Sequence, residues 1–158
     1  SPSLFGSVKK DIEGTAPSES LAETDRLVCE NSRLALYLDE EAFIVKILDK
    51  QGDYVWSSSA TETELASMTG TWRRFSQAFL TMDYFNANGA SLRSSARFDK
   101  AAADLLCTED GLAATLTFRE PDATARVYLS LTEDGFKSLI EQRKIAASYS
   151  LTMKIVRN

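Results

Sequence analysis

The chain of 158 residues contains no histidine. Histidine is the commonest general base near neutral pH and the commonest metal ligand in proteins. Its absence excludes Ser-His-Asp hydrolysis, Cys-His proteolysis, most catalytic zinc sites and mutarotase-type sugar epimerisation, which depends on a histidine acid. A glycine-rich phosphate loop is also missing. The sequence therefore predicts no cofactor and no metal, and it leaves carboxylate chemistry as the remaining catalytic option.

Surplus positive charge and long apolar runs are missing as well. The net charge is -5 and the pI is near 4.8, which argues against nucleic acid as a partner, because phosphate neutralisation needs clustered Lys and Arg. No apolar run approaches the roughly 18 residues of a membrane-spanning helix. The chain starts SPSLFGSVKK, with no Met and no hydrophobic leader. We interpret it as a segment of a longer protein or as a chain whose leader was removed.

The stretch 33–58 predicts three consecutive antiparallel strands. Apolar residues recur at every second position over 34–38 and again over 43–47, which is the period of a strand with one buried face. Polar turns separate these runs. In the second turn Gly52 is expected to take the left-handed conformation that a short hairpin loop needs.

The same alternation continues to the end of the chain and is divided by Asn-Gly and Asp-Gly turn signals. It predicts an all-β antiparallel β-sandwich of about ten or eleven strands. Helix should be minor, with one short helix near 65–72 interrupted at Gly70. Residues 1–24 hold two of the three prolines and many Ser, Thr and Glu, so we expect a flexible linker or arm there. The single sandwich domain then covers 25–158.

The two cysteines, Cys29 and Cys107, both fall in predicted strands. One interpretation is that both are buried thiols that pack as small hydrophobic side chains. The alternative is one disulfide between the two strands. Two thiols alone do not make a zinc site.

Acidic residues cluster at three predicted hairpin tips, 39–41, 109–110 and 133–134. Asp and Glu favour turns, so we interpret these clusters as solvated turn residues. Two alternatives stay open: a pair of facing carboxylates could hydrolyse glycosides, and two converging tips could hold a weak calcium site. No catalytic residue is assigned.

Trp72 is the aromatic residue best placed for binding, because it lies in an irregular stretch beside Arg73 and Arg74. An indole ring offers a stacking surface for a sugar, and guanidinium groups offer charge-assisted hydrogen bonds. These three residues form the candidate ligand site. The alternative interpretation is that Trp72 closes the end of the sandwich.

The run 30–59 resembles the start of an uncharacterised N-terminal β-sandwich module of large secreted proteins from Gram-positive bacteria. The shared features are an Asn before a Leu-x-Leu-Tyr strand, a second strand of the pattern Ile-x-Val-x-Asp-Lys, and a closing segment of the pattern Gly-x-x-Trp-x-Ser. In this sequence they are Asn31, Leu34–Tyr37, Ile44–Lys50 and Gly52–Ser57.

The resemblance implies a sandwich of the galactose-mutarotase-like, supersandwich type, similar to those that precede the barrel in several carbohydrate-active enzymes. We therefore expect a non-catalytic accessory module of a secreted or cell-surface bacterial protein. Its partners would be a polysaccharide or a neighbouring catalytic domain of the same parent chain. One alternative is a structural or protein-interaction module that docks a partner through a sheet edge, with 145–156 as the candidate strand. Another is a small carboxylate-dependent glycosidase.

Overall fold

The computed structural model describes residues 21–86, 88–120, 123–144 and 149–153, and it gives 142–144 and 149–153 as backbone alone. Within these residues the chain forms eleven strands and two short helices. In chain order they are β1 (Arg26–Glu30), β2 (Leu34–Asp39), β3 (Ile44–Asp49), β4 (Tyr54–Ser57), α1 (Glu62–Ala66), α2 (Gly70–Phe75), β5 (Leu80–Phe85), β6 (Ser91–Ser95), β7 (Lys100–Cys107), β8 (Gly111–Phe118), β9 (Thr124–Leu131), β10 (Phe136–Lys144) and β11 (Tyr149–Met153).

The strands pair antiparallel in three sheets. Sheet A has the order β1-β2-β3-β4, sheet B has the order β11-β5-β6, and sheet C has the order β10-β9-β8-β7. The prediction of an all-β, sandwich-like antiparallel fold with little helix is confirmed. Most neighbours in the sheets are also neighbours in sequence, because short hairpin turns connect antiparallel strands directly.

The core forms because the alternating sequence gives each strand one apolar face. In β9, buried side chains at 125, 127, 129 and 131 alternate with half-buried ones. The core cluster draws on all three sheets, with Leu36 and Ile47 from sheet A, Met82 from sheet B and Val127 from sheet C. Each of these side chains is almost fully buried, so the three sheets share one hydrophobic core.

Phe43 corrects one detail of the predicted second strand. It precedes β3 and has a φ of 50°, so it ends the β2–β3 turn and lies outside the strand, although its side chain is buried like those of Val45 and Ile47. In the same turn the carboxylate of Asp39 accepts a hydrogen bond from the N–H of Ala42 at 3.1 Å. The Phe43 ring is fully buried and packs edge-on against Phe79, with 5.7 Å between ring centres. Core packing therefore offsets the cost of a left-handed backbone.

Two further predictions about turns need correction. The left-handed residue of the β3–β4 turn is Asp53, with a φ of 50°, and Gly52 does not take this conformation. A short polar side chain that can hydrogen-bond locally tolerates the left-handed region. The predicted helix is two helices, and the break falls at 67–69. Gly70, with a φ of 57°, begins the second helix.

Side-chain hydrogen bonds connect the sheets at their turns. The amide of Asn31, between β1 and β2, donates to the carbonyl of Thr132 after β9 at 2.8 Å. The Ser94 hydroxyl on β6 donates to the carbonyl of Glu120 after β8 at 2.6 Å. The first contact joins sheets A and C, and the second joins sheets B and C. The second junction positions the site described below.

The cysteines have different environments. Cys29 is buried in β1, where burial raises the pKa of its thiol to about 11. Cys107 lies in β7 and is exposed, so the interpretation of two buried thiols is wrong for Cys107. Both are free thiols. The first twenty residues of the predicted linker 1–24 lie outside the described residues.

Candidate functional site

Trp72, Arg73 and Arg74, the ligand site selected from the sequence, lie together on helix α2. The Trp72 side chain is 72% exposed, so the interpretation that it closes the end of the sandwich is wrong. Phe75 follows three residues later, and positions three apart share one face of a helix. The helix therefore presents two aromatic rings beside two cations.

The two arginines of α2 have different partners. The guanidinium of Arg73 donates to the backbone carbonyl of Leu65 in α1, which ties the two helices together. Arg74 forms an ion pair with Asp99, with 3.3 Å between Nη2 and Oδ1. The guanidinium carbon of Arg74 also lies 4.5 Å from the centre of the Phe98 ring. Arg74 thus connects the helix to the segment after β6.

Two arginines from β6 and the segment after it approach the same aromatic rings. Arg93 lies 5.5 Å from the centre of the Phe75 ring, and Arg97 lies 5.2 Å from that of Phe98. Both distances are within the roughly 6 Å of a cation–π contact. Arg93 also binds Asp83 on the neighbouring strand through two hydrogen bonds, at 2.6 and 3.2 Å. The hydrogen bond to Asp83 raises the pKa of Arg93.

A fifth arginine, Arg119, follows β8. Its Nη1 donates to the carbonyl of Phe98 at 3.3 Å, and its backbone N–H donates to the carbonyl of Asp99 at 3.0 Å. The carboxylate of Asp99 in turn accepts a hydrogen bond from the N–H of Ser95 at 2.8 Å. These bonds fix the segment 95–99 and hold the Phe98 ring at the surface.

We call this set the arginine cluster. Its members are Arg73, Arg74, Arg93, Arg97, Arg119, Phe75 and Phe98. Three carboxylates lie in or beside it: Asp83, Asp99 and Glu120, the last of which is 3.5 Å from the hydroxyl of Tyr84. Five guanidinium groups beside three carboxylates make this surface locally positive, although the chain has a net charge of -5.

A groove of about 590 Å³ begins at Arg97. Its walls carry charges of both signs, with Arg26, Arg97 and Lys100 facing the acidic turn 39–41. The guanidinium of Arg26 lies 3.7 Å from the carboxylate of Glu40. The first of the three acidic hairpin tips, 39–41, therefore lines a groove that also includes Arg97 of the arginine cluster.

The other two acidic tips, 109–110 and 133–134, lie near each other. The N–H of Leu131 donates to the carbonyl of Asp110 at 2.8 Å, which joins the β7–β8 turn to the end of β9. Within the described residues, no three Cys, Asp or Glu side chains come close enough together to hold a metal ion.

Comparison of the chain with protein-family models, with curated proteins and with solved structures finds no match. The two described helices have five and six residues, and no helix in the described part of the chain is long and apolar enough to cross a membrane.

Sequence reasoning found three consecutive residues of this surface and missed the arginines and phenylalanines that surround them. A signal was present, because Arg and Phe are neighbours at 74–75, 97–98 and 118–119. Two of these dipeptides, 74–75 and 97–98, place both their cation and their ring in the cluster, and the third supplies Arg119. Trp72, Arg73 and Arg74 are consecutive residues of α2, and Arg93 and Arg97 add cations beside the rings of Phe75 and Phe98.

Proposed function

We propose that this chain is a non-catalytic accessory module of a secreted or cell-surface bacterial protein, and that it holds a polysaccharide against the face around Trp72. The observation that carries the proposal is the indole ring of Trp72, which is 72% exposed. Tryptophan is highly buried on average in folded proteins, and an exposed one is typical of a contact surface.

The surroundings of Trp72 suit a sugar better than a purely apolar partner. An indole ring stacks against the apolar face of a pyranose, and nearby guanidinium groups hydrogen-bond to its hydroxyls. Arg73 and Arg74 lie on the same helix, and their contacts with Leu65 and Asp99 hold that helix in place. A preformed surface of this kind loses little conformational entropy when a ligand binds.

The test is affinity electrophoresis of the purified chain through gels that contain single soluble polysaccharides, with Trp72→Ala run alongside. The matched control is Leu106→Ala. Leu106 is exposed like Trp72, at 61%, and lies on β7. It is six residues along that strand from Lys100, which directly follows the segment 95–99 of the site, and six strand residues span about 20 Å. We expect one polymer to retard the wild type and the control equally and Trp72→Ala much less. Equal retardation of all three proteins, or of none, would contradict the proposal.

A second candidate function is docking through a sheet edge. In sheet B, β11 pairs with β5 and has no strand on its other side within the described residues. An edge strand of this kind presents unpaired backbone groups that another strand can join. Residues 145–148 and 154–156 of the candidate strand lie outside the described residues. Concentration-dependent assembly in analytical ultracentrifugation, abolished by Met153→Pro, would support docking; a monomer at all concentrations would count against self-pairing.

A further inference from the structure

The five arginines of the arginine cluster differ in how far their charges are compensated. Arg74 and Arg93 form ion pairs with aspartates. Arg73 and Arg119 donate to backbone carbonyls, which accept a hydrogen bond but carry no full charge. Arg97 forms no ion pair with any described carboxylate. Three positive charges on this surface therefore have no carboxylate partner within the described part of the chain.

Arg97 and Arg119 are two arginines without a carboxylate partner that both contact Phe98, Arg97 through the ring and Arg119 through the backbone carbonyl. Arg97 lies 5.2 Å from the centre of the Phe98 ring, and Arg119 donates to the carbonyl of the same residue. The Nε of Arg97 is buried and has no hydrogen-bond partner among the described residues. Packing against a ring orders a guanidinium without neutralising it. The Phe98 ring therefore orders Arg97, the Phe98 carbonyl orders Arg119, and neither contact neutralises the positive charge.

Ordered guanidinium groups without anionic partners suit carboxylates. The guanidinium is planar and weakly hydrated, and it binds a carboxylate through two parallel hydrogen bonds. Hydroxyl groups of a neutral sugar gain less from such a site, since hydrogen bonds between a charged donor and a neutral acceptor lack the opposite charge. The acidic turn 39–41 lines the same groove as Arg97, so the surface that favours an anion is limited to the side of Arg97 next to Phe98 and Arg119.

We infer that the polysaccharide of the proposed function is anionic, a polymer of uronic acids whose carboxylates bind Arg97 and Arg119 while one of its sugar rings stacks on Trp72. This inference rests on the proposed function, because it names the class of polymer that the same face would bind. It makes two demands that a neutral ligand does not: binding must weaken with salt, and it must depend on these two cations.

The test compares two polymers with the same sugar backbone: polygalacturonate, which is charged, and its fully methyl-esterified form, which is neutral. Binding is measured by isothermal titration calorimetry and gel retardation at about 0.05 M and about 0.5 M salt, a change that strongly shortens the range of exposed charge interactions. We expect the wild-type chain to bind the acid form at least about tenfold more tightly than the ester at low salt, and to lose most of that preference at high salt.

The variants are Arg97→Gln/Arg119→Gln and a matched control, Lys50→Gln/Lys137→Gln. Both change the net charge by the same amount. The control lysines are exposed and lie in the β3–β4 turn and at the start of β10, outside the arginine cluster. We expect the arginine variant to lose at least about tenfold in affinity for polygalacturonate and the lysine variant to bind like wild type. Circular dichroism and thermal melts check that each variant is folded.

The outcomes separate this inference from the proposed function. Equal binding of the acid and the ester, abolished by Trp72→Ala, would overturn the anionic ligand and leave polysaccharide binding standing. Binding of polygalacturonate and single-stranded DNA alike, unaffected by Trp72→Ala, would overturn both and indicate a general polyanion surface. Binding of neither polymer would overturn the inference for uronic acids, and the wider polysaccharide panel would then decide the proposed function.

Discussion

Gly111 is the position where a single methyl group should disturb the fold most. It begins β8 and pairs with Ser130 of β9. A Cβ added there would overlap the carbonyl oxygen of Leu129 and lie 2.7 Å from both the Leu129 carbonyl carbon and the Ser130 Cα. These are backbone atoms of the adjacent strand, so no side-chain rotation relieves the overlap. Gly111→Ala must therefore push β8 and β9 apart locally.

The expected cost follows from what that movement breaks. Two backbone hydrogen bonds of 2.8 Å lie at the position, Thr108 N–H to Gly111 C=O and Leu131 N–H to Asp110 C=O. Each contributes about 1 kcal/mol to the free energy of unfolding, and overpacking strain adds about 1–3 kcal/mol. We expect Gly111→Ala to destabilise the chain by about 3–5 kcal/mol. For a domain of this size that lowers Tm by roughly 10 °C or more.

Urea unfolding followed by tryptophan fluorescence, together with thermal melts, measures this effect. Gly89→Ala is the control, because a Cβ there meets no atom within 4 Å although the residue has a φ of 80°. It should cost about 1–2 kcal/mol for the left-handed backbone alone. If Gly111→Ala were no more destabilising than Gly89→Ala, the close approach of β8 and β9 at this residue would be refuted.

Three further predictions concern buried ionisable groups. The carboxylate of Asp25 and the ammonium of Lys46 are 2.8 Å apart, and their side chains are 1% and 11% exposed. Asp25→Ala should therefore lower the free energy of unfolding, measured in urea, by about 3 kcal/mol. Glu40→Ala removes one partner of an exposed pair and should lower it by less than about 1 kcal/mol. Ellman's reagent should modify Cys107 rapidly in the native chain and Cys29 only on unfolding. Cys29 is buried, and its pKa of about 11 leaves roughly one native thiol in a thousand ionised at pH 8. Rapid modification of both thiols in the native chain would contradict this prediction. The pKa of Cys29 rises from 9.0 to about 11 on folding, so its contribution to stability is complete below pH 9 and is lost as the pH rises to 11. The free energy of unfolding of Cys29→Ala should therefore fall less steeply between pH 9 and 11 than that of the wild type. Identical pH profiles of the two proteins would argue against the buried thiol.

The strands could be predicted because their signal is local. Alternation over 34–38 and the Asn-Gly and Asp-Gly turns lie within a few residues, and both follow from side-chain period and backbone sterics. One error arose where a tertiary contact overrode the local preference, and another where a short polar side chain tolerated the left-handed region. Phe43 takes a left-handed backbone because its ring packs in the core against Phe79, and Asp53 takes the place expected for Gly52. The arrangement of the strands in three sheets depends on contacts distant in sequence, which alternation does not encode.

The arginine cluster shows why the site was only partly predictable. Its members come from α2, from β6 and the segment after it, and from the end of β8, and the junction of sheets B and C brings them together. The acidic composition argued against nucleic acid as a partner, yet the net charge is a sum over the whole chain and does not describe any one face. At physiological ionic strength, exposed charges are screened beyond about 8–10 Å. A ligand in contact with Arg97 and Arg119 therefore interacts mainly with the charges close to these two residues. A chain with a net charge of -5 can therefore present a positive binding face, and the exclusion drawn from composition holds only for ligands that cover much of the surface.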